Sequence, residues 1–324
     1  MIVRWGLGEL GPVLGELGMQ RPLLVTSARL AELDVPVASR FSGVRRHAPV
    51  ETVAAAVEAA SGADGLVAAG GGSAIDTGKA VSADTGLALV AVPTTYAGAE
   101  WTPFFGMRDE ERRMKTGGGG AKVAGIVYAP RLTLELPLEE TVGTALNALA
   151  HAAEALYVAS RSEEGDREAL EGAERIGRFL PEVVLRPDDL EARTGLLEGA
   201  MHAGMALGLT GLALSHAIAQ VLGGRYGLPH GAMNALSLPP ALRFNEPAAR
   251  DAIGRFAAAL GTDDPAARVE ELARLGGFRR LRDFGVPEDD LPLVAAEAAA
   301  RPGARANPRE ASPDDVLRLL DEMF

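Results

Sequence analysis

Two kinds of apolar pattern alternate along the first third of the chain. PLLVTS (22–27), GLVAAG (65–70) and LALVAVP (87–93) are short, unbroken apolar runs, the pattern of strands buried on both faces. Between them, VETVAAAVEAA (50–60) and SAIDTGKAVSAD (73–84) carry apolar residues at helical spacing and are closed near Gly62 and Gly86. Strand, helix and strand in repetition predict a parallel sheet with helices on both faces. After ELP (135–137) the texture changes. TALNALAHAAEALYVA (144–159) and LEARTGLLEGAMHAGMALG (190–208) are long Ala- and Leu-rich helical patterns with no buried strand between them. The reading is an α/β, Rossmann-like domain over residues 1–135 and an all-α domain over 136–324. GGGGAK (117–122) reads as a flexible loop before the boundary, a candidate mobile lid.

Composition narrows the function classes. A chain of 324 residues suits two domains, and 47% hydrophobic residues with only 5% aromatics imply cores of Ala, Leu and Val. The net charge of -12 argues against nucleic acid or an anionic membrane as partner. A small anionic substrate needs only a local cationic pocket. The absence of cysteine removes disulfides, thiolate-bound zinc and thiol catalysis. The start, MIVRWGLGELG, has no long apolar segment, and no run approaches the roughly 18 apolar residues of a membrane span. A soluble cytoplasmic protein is expected.

The stretch GGGSAIDTGKA (70–80) looks like a phosphate loop but fits neither familiar pattern. A P-loop needs four residues before its Gly-Lys pair and a hydroxyl after it; here five residues separate Gly72 from Gly78, and Ala80 follows Lys79. The dinucleotide pattern fails at Ile75, where its third glycine belongs. What remains is physical: three glycines after a strand, then Ser73 where a helix begins. Bare backbone and open N–H groups favour a pyrophosphate, although a tight turn with no ligand is the alternative reading. VPTTYAGAEWTP (92–103) places Thr94 and Thr95 at the next strand's carboxyl end, where open α/β sheets bind ligands. Asp76 and Lys79, taken alone, read equally well as solvated.

Five histidines are present: His47, His151, His202, His216 and His230. His151 follows Asn147 by four residues in a helical pattern, so the two share a face. His216 lies in ALSHAIAQVLGG and His230 in GLPHGAMNA. Three imidazoles in apolar surroundings can bind a catalytic zinc or iron with an open position. His47 and His202 have no comparable setting.

Taken together, GGGSAIDTGKA, PTTYAGAEWTP, LNALAHAAEALY, HAIAQVLGGRYGLPHG and NPR (307–309) resemble the iron-containing alcohol dehydrogenase superfamily, and within it most closely the maleylacetate reductases. Order and spacing match over about residues 3–310. The resemblance implies an NAD(P)-binding α/β domain, a helical domain, an active site in the cleft between them, and a homodimer. It places the pyrophosphate on Gly70, Gly71, Gly72 and Ser73, with Asp76, Lys79, Thr94 and Thr95 in the cofactor segments. The adenosine ribose is read at Ser27, which neither holds a 2′-hydroxyl as a carboxylate would nor repels a 2′-phosphate; with Arg29 nearby, NADH and NADPH both remain open.

Metal-binding members use an Asp and three His, which fall here on Asn147, His151, His216 and His230. Asn brings no negative charge, so a bound Fe2+ or Zn2+ at His151, His216 and His230 is not the favoured expectation. Gln220 stands where relatives commonly carry a second histidine, and it cannot shuttle a proton; Asn234 stands where maleylacetate reductases often have His and alcohol dehydrogenases have Asn. The implied reaction is hydride transfer to a small carbonyl or enone substrate, a dicarboxylate in the case of maleylacetate. His151, His230 and Asn147 are the candidate donors to the developing enolate. Arg225 is the candidate partner for a carboxylate, and Arg243 reads as a surface residue. The rival readings are a metal-dependent alcohol or polyol dehydrogenase, a lyase resembling dehydroquinate synthase, and a non-catalytic nucleotide-binding homologue.

Overall fold

The computed structural model describes all 324 residues, in two compact units. The first comprises Met1–Thr95 and Ala99–Glu135; the second comprises Tyr96–Gly98 and Leu136–Phe324.

The first unit is built on six parallel strands. In chain order these are β1 (Ile2–Trp5), β2 (Pro22–Val25), β3 (Ser39–Phe41), β4 (Gly65–Gly70), β5 (Ala88–Pro93) and, after a hairpin, β8 (Lys122–Tyr128). Their spatial order is β1-β8-β5-β4-β2-β3. Helices α1 (Leu10–Glu16), α2 (Val50–Ala59) and α3 (Gly72–Thr85) make the crossovers. Strands β2 and β4 are buried at every position, which is why they read as unbroken apolar runs. β1 and β3 lie at the sheet edges and are partly exposed, so their mixed patterns, IVRW and SRF, gave no clear signal.

Chain order gives the sheet a reversal. From β2 the chain steps outward to β3; from β4 it steps the other way to β5. The two strands are direct neighbours, with Val25 opposite Ala68. In open α/β sheets ligands bind beyond the carboxyl ends of such a pair. Ser27 follows the end of β2, and Gly70–Gly72 follows the end of β4.

Residues 117–122, expected as one loop, are a loop only at Gly119–Ala121. Gly117 and Gly118 close β7 (Met114–Gly118), which pairs antiparallel with β6 (Phe105–Asp109), and Lys122 opens β8. A Cβ on Gly117 would lie 2.4 Å from the Phe105 carbonyl oxygen. Glycine is present there because the strands approach closely, and an exposed hairpin carries little apolar patterning by which to recognise it.

The second unit is helical: α4 (Leu138–Ala155), α5 (Glu163–Leu185), α6 (Leu190–Leu209), α7 (Leu214–Tyr226), α8 (His230–Ala259), α9 (Pro265–Leu275), α10 (Leu291–Ala299), α11 (Pro302–Arg305) and α12 (Pro313–Met323). Its core is rich in Ala, so helices pack closely. α5 and α6 start with side-chain caps, Ser162 accepting from Gly165 N and Asp189 from Ala192 N. Tyr96–Gly98 belongs to this unit: Tyr96 N donates to Thr144 Oγ1 at 3.2 Å, and Arg193 Nη1 donates to the Tyr96 hydroxyl at 3.2 Å. No single helix is long and apolar enough to cross a membrane.

Candidate functional site

The glycine turn of the first unit presents backbone. Gly70 has φ +147°, a conformation that favours glycine. A Cβ on Gly71 would lie 2.8 Å from Thr95 Cγ2. Helix α3 starts from Gly71 with no capping side chain. The first N–H groups of a helix have no partner within the helix, so here they face outward with the positive end of its dipole. A pyrophosphate fits this cradle: it supplies the missing acceptors and needs the missing Cβ atoms.

Several side chains support the turn. Thr26 Oγ1 donates to Ala69 O at 2.7 Å, tying the ends of β2 and β4 together. Thr94 is buried, with Arg29 Nη2 3.4 Å from its hydroxyl. Ser73 Oγ accepts from His47 N at 2.9 Å. His47 and Ala48 have φ of 62° and 45°, two successive non-glycine residues in the left-handed region. A strained pair of this kind holds its place only where the surroundings fix it. Nothing local in the sequence joins His47 to Ser73, 26 positions away.

Asp76 and Lys79 prove to be internal. Lys79 is buried and donates to Ala99 O at 2.8 Å, to Thr102 Oγ1 at 3.3 Å and to Phe104 O. Asp76 pairs with Lys79 at 3.1 Å and accepts from Gly106 N at 3.1 Å. The first contact lies within α3; the second fixes α3 to β6. The solvated reading is corrected for Lys79: on α3 its position points inward, and its ammonium needs the carbonyls that meet it there. Beside them, buried Glu100 accepts from the Tyr128 hydroxyl at 2.7 Å, which accepts from Trp101 Nε1 at 2.7 Å. Burial pushes the Glu100 carboxyl above its ordinary value.

In the second unit the three histidines named by sequence come together. The rings of His151 and His216 stack with centroids 4.6 Å apart and planes 15° apart; His230 lies 5.8 Å from His216 and is tilted. His151 and Asn147 lie on α4, His216 at the start of α7, and His230 and Asn234 on the first turns of α8.

Their hydrogen bonds fix their protonation pattern. Glu154, on α4 and fully buried, accepts from Ala213 N at 2.7 Å and His216 N at 3.1 Å, and lies 2.7 Å from His216 Nδ1. A carboxylate only accepts, so His216 Nδ1 carries a proton and a neutral His216 keeps Nε2 as an acceptor. That Nε2 is buried with no hydrogen-bond partner. Asn234 Nδ2 donates to Asn147 Oδ1 at 2.7 Å and lies 3.2 Å from His230 Nε2. An amide nitrogen only donates, so His230 Nε2 accepts and its proton resides on Nδ1. Asn147 Nδ2 donates to Ala97 O at 3.1 Å. Glu154 is the residue that sequence reading missed. Its signal was its place three residues after His151, which set it on α4 with the candidate site.

This arrangement does not fit a metal ion. Asn147, at the position where metal-binding members carry Asp, is neutral, and its oxygen already accepts from Asn234. No group of three His, Asp or Glu side chains is arranged to hold a metal. Arg225, the expected carboxylate partner, is paired with Glu297 at 2.9 Å and Asp290 at 4.0 Å. Arg243 pairs with Glu270 and Glu322.

Comparison with known proteins decides the family. Residues 4–127 match the family model for iron-containing alcohol dehydrogenase, and residues 141–324 match the C-terminal model of the Fe-containing alcohol dehydrogenase family. The chain belongs to the iron-containing alcohol dehydrogenase family. It is an NAD(P)-dependent oxidoreductase of that family. It is 38% identical to a maleylacetate reductase of Pseudomonas knackmussii over 98% of this chain and 93% of the relative. It is 39% identical to a maleylacetate reductase of Sphingobium indicum over 86% of this chain and 80% of the relative. Among solved structures, a maleylacetate reductase from Rhizobium sp. superposes with a TM-score of 0.90 at 33% identity, covering 100% of this chain and 95% of that one. A putative alcohol dehydrogenase from Ralstonia eutropha reaches 0.93 at 35% identity, with the same coverage. The expected fold class is the observed one.

Proposed function

We propose that this oxidoreductase is a metal-free maleylacetate reductase, converting maleylacetate to 3-oxoadipate. The observation that carries the reading is the Asn147–Asn234–His230 network. The position where metal-binding members have a carboxylate is occupied by an amide already bonded on both sides. The identity to maleylacetate reductases supports the choice of substrate.

When bound, the reduced nicotinamide supplies a hydride for the double bond conjugated to the substrate ketone. Gly70, Gly71, Gly72 and Ser73 hold its pyrophosphate, with Thr94, Thr95 and Ser27 lining the same sheet reversal. Ser27 is neutral and selects neither NADH nor NADPH. Asp76 serves the cofactor by fixing the helix on which the pyrophosphate rests.

An enolate oxygen must then be stabilised and one proton delivered to carbon. His230 suits the first task, as a hydrogen-bond donor to the enolate oxygen, because Asn234 leaves its proton on Nδ1; the proton on carbon comes from water. His151 and the second hydrogen of Asn147 Nδ2 are further donors. His216, held by Glu154, is an acceptor, and it orients the stack. Arg225 has its charge answered by two carboxylates and does not hold the substrate in this arrangement. The same reading makes the protein a cytoplasmic homodimer.

The test is loss of nicotinamide absorbance with maleylacetate after exhaustive chelation. Full turnover by the chelated protein is expected. Activity confined to simple alcohols or aldehydes, and only after iron or zinc is restored, overturns the reading.

A further inference from the structure

Gln220 and Arg301 together form a feature the reaction above leaves unused. Gln220 stands four residues after His216 on α7, so their side chains share a face. Arg301 Nη1 donates to Gln220 Oε1 at 3.3 Å. The adjoining residues run against the same helix: a Cβ on Gly303 would lie 2.6 Å from Ala213 O and 3.6 Å from Ala217 Cβ. The segment beginning at Arg301 therefore lies along α7 at Ala213, Ala217 and Gln220, with Gln220 one turn from His216.

No carboxylate forms an ion pair with Arg301. Arg301 is half-buried, and burial lowers its pKa from the ordinary guanidinium value. Glu297 acts on it only at a distance, because that carboxylate is held by Arg225 at 2.9 Å. A partly desolvated guanidinium whose one partner is a neutral amide is incomplete, and a planar carboxylate is the group its remaining N–H donors match best. Arg225 and Arg243, by contrast, each meet two protein carboxylates.

We propose that Arg301 receives a carboxylate of the substrate and sets the enzyme's preference for dicarboxylates, with Gln220, one turn from His216, holding the guanidinium. The proposal rests on the dicarboxylate reading above. It also gives Gln220 a task that a proton-shuttling histidine could not perform in neutral form with the same certainty: an amide oxygen is always an acceptor.

The experiment compares maleylacetate with its dimethyl ester, which keeps the enone and lacks both charges, in wild type, Arg301→Met, Arg301→Lys and Gln220→Glu. Arg301→Met should raise KM for maleylacetate about 10- to 100-fold, the loss of a charged hydrogen-bonded contact, with kcat changed far less. The ester's kinetics and NADH binding should not change. Arg301→Lys should recover part of the loss. Gln220→Glu keeps Arg301 but gives it an internal carboxylate, and should reproduce the KM effect. Equal changes for acid and ester, or no change for either, overturn the proposal. Fumarate titrated into the wild type and Arg301→Met by calorimetry reads the same subsite without turnover. Weaker binding in the variant supports Arg301 even where maleylacetate is not reduced, an outcome that would sink the reductase reading alone. Unchanged fumarate binding overturns the role of Arg301.

Discussion

The glycine turn and the histidine cluster are built on opposite principles. The turn works through what is missing: no Cβ at Gly71, no cap on α3, no charge at Ser27. The cluster works through what is present, buried side chains each fixed by another: His216 by Glu154, His230 by Asn234, Asn234 by Asn147. A site made of bare backbone tolerates change around it but not on it. A site made of linked polar groups fails wherever a link is cut, because the remaining partner is left buried and unsatisfied.

The sharpest test of this contrast is His230→Ala. It should lower kcat about 100- to 1,000-fold, the usual worth of a donor aimed at a developing oxyanion, while NADH binding stays unchanged in a fluorescence titration. Loss of cofactor affinity instead would show that the two regions are not separate in function. Glu154→Ala should come next. It strands His216 Nδ1 and two backbone N–H groups, and should cost about 3–5 kcal/mol in urea unfolding. A loss no greater than that of a surface substitution would mean the link carries little. Gly71→Ala should act the other way round, raising KM for the cofactor about 10-fold with stability nearly intact, since the new Cβ meets Thr95 Cγ2. Adding Thr95→Ser removes that methyl and should restore affinity; failure to do so would point to backbone strain rather than crowding.

The smallest effect is expected at Glu100, which lies beside Lys79 and belongs to neither site. Burial raises its carboxyl, so the folded chain keeps a proton that the unfolded chain has released. This contribution is complete below the pH where a free glutamate titrates, and is lost as the pH rises through the raised folded value. Glu100→Gln should flatten that decline in melting temperature, and an unchanged slope would assign the pH dependence to other groups.

The same contrast explains what the sequence could show. Bare backbone is written locally: three glycines after an apolar strand are visible in one line, and the ligand reading followed. The strands of that sheet were legible where both faces are buried and illegible at β1 and β3, where exposure breaks the pattern. The histidines could be gathered because each lies in an unusually apolar setting. Their partners could not be assigned, because the bonds join positions 62 and 87 residues apart, as from His216 to Glu154 and from Asn234 to Asn147. Arg225 stands close to His230 in sequence, whereas its ion-pair partners Asp290 and Glu297 lie 65 and more positions away, beyond local reading.

The three residues Tyr96–Gly98 have a consequence for how the chain is made. They emerge from the ribosome directly after β5, yet the groups that hold them, Thr144, Asn147 and Arg193, follow 48, 50 and 97 positions later. During translation this short stretch must wait, with the Tyr96 ring unburied, until α4 and α6 have been synthesised. The N-terminal unit is therefore not a cassette that can be cut out at Glu135 and moved to another scaffold unchanged. A transplant would carry an orphaned tyrosine in the middle of its sheet connections, a natural handle for chaperones and a place for aggregation to begin.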